Sequence, residues 1–373
     1  MTQKPPLTPF HPIAPELDPD RMHQILVGKA RPEFAWAEPE DLQGHLHMLR
    51  EALQHCLGER PEGVPLAVET GMEEECGGYI RRRVSFAVEP GSRACGWLLV
   101  PGGLEGSAPA MICLQGHTSG GHISAGMERV EGDAESIAGE RDFAVQAVRR
   151  GYVALALEQR CFGERMDGRE PRVRGHYDFE NFSTDERCRH QAMVALLLGR
   201  TLVGERVHDV RCALDFLAEL PEVDPGRISC MGNSGGGTAS FYAACMDNRI
   251  SGIIASCAFC TYASSIVRVD HCCDNYLPGA LKLFEMPDLA ALLAPRPFVV
   301  VSGREDPLFP REGVFEAMTT ARRIYRRFRA SDRIAHAEGA GGHRFYAGSG
   351  WAAWDSVLAC AGMADPDGKP EAG

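Results

Sequence analysis

The sequence predicts an α/β fold: a mostly parallel central sheet flanked by helices, preceded by an N-terminal segment that is part extended and part helical. Three observations carry this prediction. Five apolar runs, "APAMICLQG", "YVALALEQR", "RISCMGN", "ISGIIASCAF" and "RPFVVVSGRED", are continuous rather than alternating, as strands buried on both faces are. Stretches of helical periodicity separate them, and strand-helix alternation implies parallel strands joined by crossovers. The chain has 373 residues of which 44% are hydrophobic, enough for the core of one large domain.

The elements follow in chain order. Residues 1 to 35 are proline-rich and lack periodicity, so an extended arm is expected. In "PEDLQGHLHMLREALQHCLG", Leu42, Leu46, Leu49, Leu53 and Leu57 repeat at three and four, which predicts an amphipathic helix closed by Gly58. "GYIRRRVSFAVEPGSRACGWLLVPGG" alternates as two strands around Glu89-Pro90-Gly91-Ser92, a hairpin at the start of the sheet. The five apolar strands come next. Two helices are expected between Glu186 and Leu220, and another in "REGVFEAMTTARRIYRRF". The expected division is an arm and helix over 1–75, a catalytic domain over 76–362 and a tail over 363–373.

Composition excludes several partners. A net charge of −12 argues against binding nucleic acid or anionic membranes. No stretch has the apolar core of a signal peptide or approaches a membrane span, so a cytoplasmic location is expected. The 14 cysteines sit mostly inside apolar runs, which reads as a small hydrophobe in a reduced compartment rather than a disulfide framework. A homo-oligomer is compatible with all of this.

The chemistry centres on "RISCMGNSGGGTASFYAACM". Gly232-Asn233-Ser234-Gly235-Gly236 satisfies G-x-S-x-G between a predicted strand and a predicted helix. A bend that sharp strains its central residue and brings chain so close that side chains two positions away would collide, hence the glycines. It also lifts the serine hydroxyl above the sheet and places the Gly235 amide at a helix N-terminus. A phosphate loop would need a lysine after the glycines, where Thr238-Ala239-Ser240 stands.

A serine hydroxyl needs a base, and the base needs an orienting acid. In folds of this kind the order is serine, acid, histidine, with both partners in loops after later strands. Asp306 follows the strand ending at Ser302, with Glu305 as a competing carboxylate. His343 follows in a glycine-rich loop, with His336 as its rival inside the preceding strand. The second oxyanion donor is expected in "CLQGHTSGG": the His117 N–H, or that of Thr118. Gly116, Thr118, Asn233, His271 and Asp274 are candidate substrate contacts.

These residues carry a resemblance. "LQGHTSGG", "EQRCFGER", "MGNSGGGT", "HCCDNYLPG", "DLAALLAPRPFVVVSGREDPLFP" and "GGHRF" resemble an α/β-hydrolase of the dienelactone-hydrolase and acetyl-xylan-esterase-like group, over roughly Ala108 to Phe345. The resemblance implies the α/β-hydrolase fold and a triad of Ser234, Asp306 and His343. It implies hydrolysis of a small-molecule carboxylic ester, such as a small acyl or aryl ester or a sugar acetate, without metal or organic cofactor. Two departures stand out. Gln115-Gly116 replaces the family's His-Gly, and serine occupies the elbow where dienelactone hydrolases proper have cysteine. A peptidase or amidase of the same fold, and a non-catalytic ligand-binding homologue, are the alternatives.

Other clusters have structural readings. Cys257, Cys260, His271, Cys272, Cys273 and Asp274 have zinc-like spacing, but Cys257 lies in an apolar strand where cysteine is ordinarily core, and no metal is expected. "EQRCFGER" reads as an ion-pair network at a strand end, and "YRRFRASDR" as a solvated helix face.

Overall fold

The computed structural model describes residues 15–166 and 184–363. Nine strands form one sheet: β1 (Glu69–Cys76), β2 (Tyr79–Glu89), β3 (Ser92–Pro101), β4 (Ala108–Leu114), β5 (Val153–Leu157), β6 (Val223–Asn233), β7 (Ile250–Ser256), β8 (Phe298–Gly303) and β9 (Ile334–Gly339). Their spatial order is β1-β2-β3-β5-β4-β6-β7-β8-β9. The first three strands form an antiparallel meander that joins β5 antiparallel; from β5 through β9 every pairing is parallel.

The helices are α1 (Pro19–Lys29), α2 (Leu42–Leu57), α3 (Asp133–Ser136), α4 (Phe143–Val148), α5 (Thr184–Leu197), α6 (Leu202–Ala218), α7 (Gly235–Met246), α8 (Ala280–Leu283), α9 (Arg311–Arg327) and α10 (Ala347–Ala361). Strand β4 shows how they are sorted. Ala110, Ile112 and Leu114 enter a core shared with α2, α6, α7 and α9, while Met111 and Cys113 enter a second core shared with α4 and α10. The period-two alternation of a strand thus feeds two apolar layers, which is why these strands read as unbroken apolar runs.

Two expectations are corrected. Within the proline-rich N-terminal stretch, residues 19–29 are helical: Pro19 opens α1 and the Asp18 carboxylate caps it by accepting from the Asp20 N–H. No α1 residue is buried, and its apolar Met22, Ile25 and Leu26 stand exposed. Strand β1 precedes the expected hairpin and was not foreseen, because nearly every residue of "ETGMEEEC" faces solvent. The first 14 residues of the expected arm, most of the segment between Gly163 and Arg189, and the tail beyond Met363 lie outside the described residues. Among the described residues no helix is long and apolar enough to cross a membrane.

The chain runs from β4 to β5 on one side and later returns to β6 on the other, so the connections leaving β4 and β6 diverge. Parallel α/β sheets hold ligands in such a crevice, beyond the carboxyl ends of the strands. Asn233, Ser256, Val301 and Ala337 are successive partners across β6, β7, β8 and β9, so the loops after these strands leave the sheet at one level.

Candidate active site

Ser234 is the bend between β6 and α7, at φ 56° and ψ −128°. A non-glycine residue there costs on the order of 1–3 kcal/mol, so its surroundings must hold it. Its N–H donates to the Ser256 carbonyl at 2.9 Å and its carbonyl accepts from the Thr238 N–H at 2.9 Å. The glycine spacing has a steric cause. A Cβ on Gly232 would lie 2.3 Å from the Gly236 carbonyl carbon, and one on Gly236 would lie 2.1 Å from the Leu114 carbonyl oxygen. Neither neighbour is a side chain that can swing away.

Asp306 lies on the loop after β8 and its side chain is fully buried. One carboxylate oxygen accepts from the N–H groups of Leu308 (2.9 Å) and Phe309 (3.2 Å); the other meets His343 Nδ1 at 2.9 Å. Burial alone would raise this carboxyl, but the His343 contact and the two amides outweigh it and hold Asp306 below the usual value. Glu305 makes no comparable contact with His343, and the rival His336 is taken up by the Ser302 hydroxyl at 2.7 Å within the sheet.

His343 stacks against Phe309 at 5.8 Å between ring centroids. With Nδ1 turned to the carboxylate, the neutral ring carries its proton there and leaves a lone pair on Nε2. Nε2 is buried and has no hydrogen-bond partner, so the Ser234 hydroxyl does not donate to it in this conformation. Catalytic hydrogen bonds often tighten only when substrate is bound. Cys257, which follows the Ser256 that anchors the elbow, lies beside the pair: its sulfur, an Asp306 oxygen and a His343 nitrogen are within 4.8 Å of one another.

The loop after β4 closes on the elbow from the other side. A Cβ on Gly116 would stand 2.7 Å from the Asn233 carbonyl and 2.9 Å from Ser234 Cβ. The His117 ring comes within 3.6 Å of where a Gly235 Cβ would be. The Gly235 N–H belongs to the first turn of α7, whose donors have no acceptor inside the helix. Gln115 ties this loop down: its side-chain amide donates to Ser124 Oγ at 3.1 Å and the Arg141 carbonyl at 2.5 Å, and its backbone carbonyl accepts from the Gln159 side chain.

The remaining candidates divide. Thr118 has a buried hydroxyl without a partner. Asn233 is engaged by the Ser256 hydroxyl at 2.7 Å. His271 Nε2 meets Ser265 Oγ and the Leu308 carbonyl, both at 3.0 Å, and so braces the acid loop. Asp274 is buried against Arg206, a fully buried residue of α6 absent from the sequence reading; its distance in sequence from every motif hid it. Cys260 turns to the Pro310 carbonyl and Cys257 to that of Arg344, which separates both from Cys272 and Asp274. The zinc-like spacing read in the sequence therefore does not form one cluster.

"EQRCFGER" does build ion pairs, through Arg160 to Asp209, Glu89 and Glu205 and through Arg165 to Asp209. Glu158 differs. It takes the Gly121 N–H at 2.9 Å, bracing the loop after β4, and burial pushes its carboxyl up to about 7. Beside this region lies a cavity of about 570 Å³ between α5 and the segment 270–278, lined by Arg189, Met193, His271, Cys272 and Tyr276 among others.

Comparison with known proteins agrees with this architecture. Residues 22–318 match the Abhydrolase family. The chain is 27% identical over 297 residues to "Putative hydrolase YtaP" of Bacillus subtilis (strain 168), covering 79% of this chain and 92% of that protein. Among solved structures it resembles a "putative acetyl xylan esterase" from Bacteroides fragilis NCTC 9343, with TM-score 0.70, 17% identity and coverage of 88% of this chain and 84% of that one. A glucuronoyl esterase from Solibacter usitatus gives TM-score 0.59, 16% identity and coverage of 86% and 91%. Likeness at these identities speaks to the fold.

Proposed function

The chain belongs to the Abhydrolase family, and from that premise we propose that it is a serine hydrolase of carboxylic esters acting through an acyl-enzyme. One observation carries the reading: His343, held by a buried carboxylate at 2.9 Å, keeps a buried and unpartnered Nε2 at the sheet end where Ser234 is bent into a strained turn.

The steps follow from these groups. Ser234 Oγ attacks the acyl carbon while His343 Nε2 takes its proton. Asp306 keeps the ring oriented and stabilises the imidazolium. The amides of Gly235 and His117 receive the charge on the carbonyl oxygen, aided by the N-terminus of α7. His343 then returns the proton to the departing alkoxide. Water repeats the sequence in reverse and frees the acid. Gln115 and Glu158 act through the loop after β4, keeping His117 against the elbow.

The neighbours in fold are named for acetyl xylan and glucuronoyl ester cleavage, so sugar acetates and uronoyl esters head the substrate panel, beside short acyl and aryl esters. The test is turnover of that panel together with peptide anilides by purified protein. Ester turnover lost in Ser234→Ala supports the reading. Anilide turnover without ester turnover reassigns the enzyme as an amidase. Absence of turnover and of covalent serine labelling leaves a binding module.

A further inference from the structure

Next to the elbow, four donor atoms converge from three separate chain segments. They are His117 Nε2 on the loop after β4, Cys188 Sγ on α5, and Cys272 Sγ and an Asp274 oxygen on the segment after β7; all lie within 4.8 Å of one another. His117 Nε2 stands 3.8 Å from Cys188 Sγ and 3.9 Å from Asp274 Oδ2. In a tetrahedral zinc site with bonds of about 2.0–2.3 Å, neighbouring donors are about 3.3–3.8 Å apart. The cluster therefore needs a contraction of at most about 1.5 Å along its longest edge. We propose that His117, Cys188, Cys272 and Asp274 form a structural site for a thiophilic divalent cation of the zinc class.

The donor chemistry selects that class. Two thiolates with one imidazole suit zinc over calcium or magnesium, which take all-oxygen shells. Four protein donors also leave no open position, the mark of a structural site and not a catalytic one.

Asp274 and Cys188 are held by neighbouring groups, as metal ligands usually are. Asp274 Oδ1 accepts from Asn275 Nδ2 at 2.9 Å, and Oδ2 accepts from Arg206. Arg206 also approaches Cys188 Sγ at 3.4 Å and is itself fixed by the Arg160 carbonyl at 2.8 and 3.2 Å. Phe162 packs under the Arg206 guanidinium at 4.5 Å and edge-on to the His117 ring at 4.9 Å. Charge balances as well. Two thiolates and a carboxylate carry −3, against +1 on buried Arg206 and +2 on the cation. Binding releases the two thiol protons, so the buried site keeps its net charge. Without a cation the same groups form a thiol–imidazole cluster around an Arg206–Asp274 pair, and that is the rival the experiment must separate.

The inference stands apart from the hydrolase reading, although the two meet at His117. Its ring would ligate the cation while the hydrolase reading assigns its amide to the oxyanion, so the metal would tie the loop after β4 to α5 and to the segment after β7.

The test uses the full chain, stripped with chelator and titrated with cobalt(II) as a spectroscopic substitute. The expected result is one cobalt per chain, with the strong visible bands of tetrahedral coordination and a thiolate-to-cobalt charge-transfer band. Zinc should displace it and raise the thermal midpoint. Cys188→Ser and Cys272→Ser should each abolish the charge-transfer band or weaken it severely. Cys360→Ser, an exposed cysteine on α10, should not. Ser234→Ala, which the hydrolase reading expects to be inactive, should bind cobalt as wild type does; this separates failure of the site from failure of the enzyme assignment. No stoichiometric uptake by wild type overturns the proposal whether or not the variants fold. So does a spectrum that survives both substitutions but disappears in Cys257→Ser, which would place the ion beside Asp306 and His343.

Discussion

Two histidine–aspartate pairs among the described residues differ in what they leave unused. Ser119, His122 and Asp133 sit in the loop region after β4. There the Ser119 hydroxyl donates to Asp133 and also meets His122 Nε2 at 3.3 Å; that same nitrogen meets Asp133 at 2.9 Å, and the Arg129 and Val130 N–H groups both reach the carboxylate at 2.8 Å. Burial would raise the Asp133 carboxyl, but the hydroxyl, the amides and the imidazole together hold it well below the usual range. Here acid and serine compete for one ring nitrogen. In the second set, Asp306 engages Nδ1 alone at 2.9 Å and Nε2 is left without a partner. The serine is also strained at φ 56°, ahead of a twelve-residue helix. The His–Asp distance is the same in both sets. Residue types and that distance therefore do not separate a brace from a proton relay. The buried, unpartnered Nε2 of His343 and the strained backbone of Ser234 set the second apart.

The sharpest way to break this contrast is to delete one member of each set. Ser234→Ala and His343→Ala should each lower kcat by roughly 10⁴–10⁶, measured on whichever ester of the panel turns over fastest. Asp306→Asn should cost about 10⁴ by favouring the wrong tautomer of His343. Its thermal midpoint will show whether the fold survived. By contrast, Ser119→Ala and His122→Ala should change kcat by less than about tenfold while costing about 1–3 kcal/mol in denaturant unfolding, because each removes one hydrogen bond to a buried carboxylate. A loss of activity comparable to that of Ser234→Ala would erase the distinction.

A smaller effect concerns pH. Glu158 has its carboxyl raised from 4.5 to about 7 by burial. Inside the fold it therefore keeps a proton that the unfolded chain has already released. Stability from this group is complete below the unfolded value and is lost as pH rises through about 7. By linkage the loss is on the order of 3 kcal/mol. Unfolding free energies near pH 5 and near pH 8 should converge in Glu158→Gln relative to wild type. An unchanged slope would show that the Gly121 contact, and not the charge, sets the balance. The least change is expected for His336→Gln, since the Ser302 contact within the sheet touches neither set. Its kcat should stay within about twofold of wild type, as surface-edge sheet substitutions usually do.

Much of this was legible in the sequence because the responsible forces are local. The elbow declares itself: steric exclusion at Gly232 and Gly236 acts over four residues and needs no tertiary information. The apolar runs of β4 to β8 announce strands buried on both faces. Asp306 and His343 follow from chain order once the sheet is assumed. What the sequence could not show depends on distant partners. Cys188 and Arg206 lie on helices far in the chain from His117 and Asp274, and only the packing of α5 and α6 over the crevice unites them. The cysteine pair that looked metal-like, Cys257 and Cys260, was drawn to other carbonyls by the turn after β7. Strand β1 buries almost nothing and so carries no hydrophobic pattern, and helix α1 is a short exposed helix in a proline-rich stretch. The grouping of Ser119, His122 and Asp133 went unread because no motif joins them and only their hydrogen bonds reveal it.

The central claim is that Ser234, and not Ser119, is the activated hydroxyl. It is tested most directly by incubating the protein with a fluorophosphonate probe and mapping the adduct by peptide mass spectrometry. The account predicts one phosphonylated site, at Ser234, with labelling suppressed in His343→Ala and retained in His122→Ala. An adduct on Ser119, or labelling of Ser234 that does not depend on His343, would contradict it.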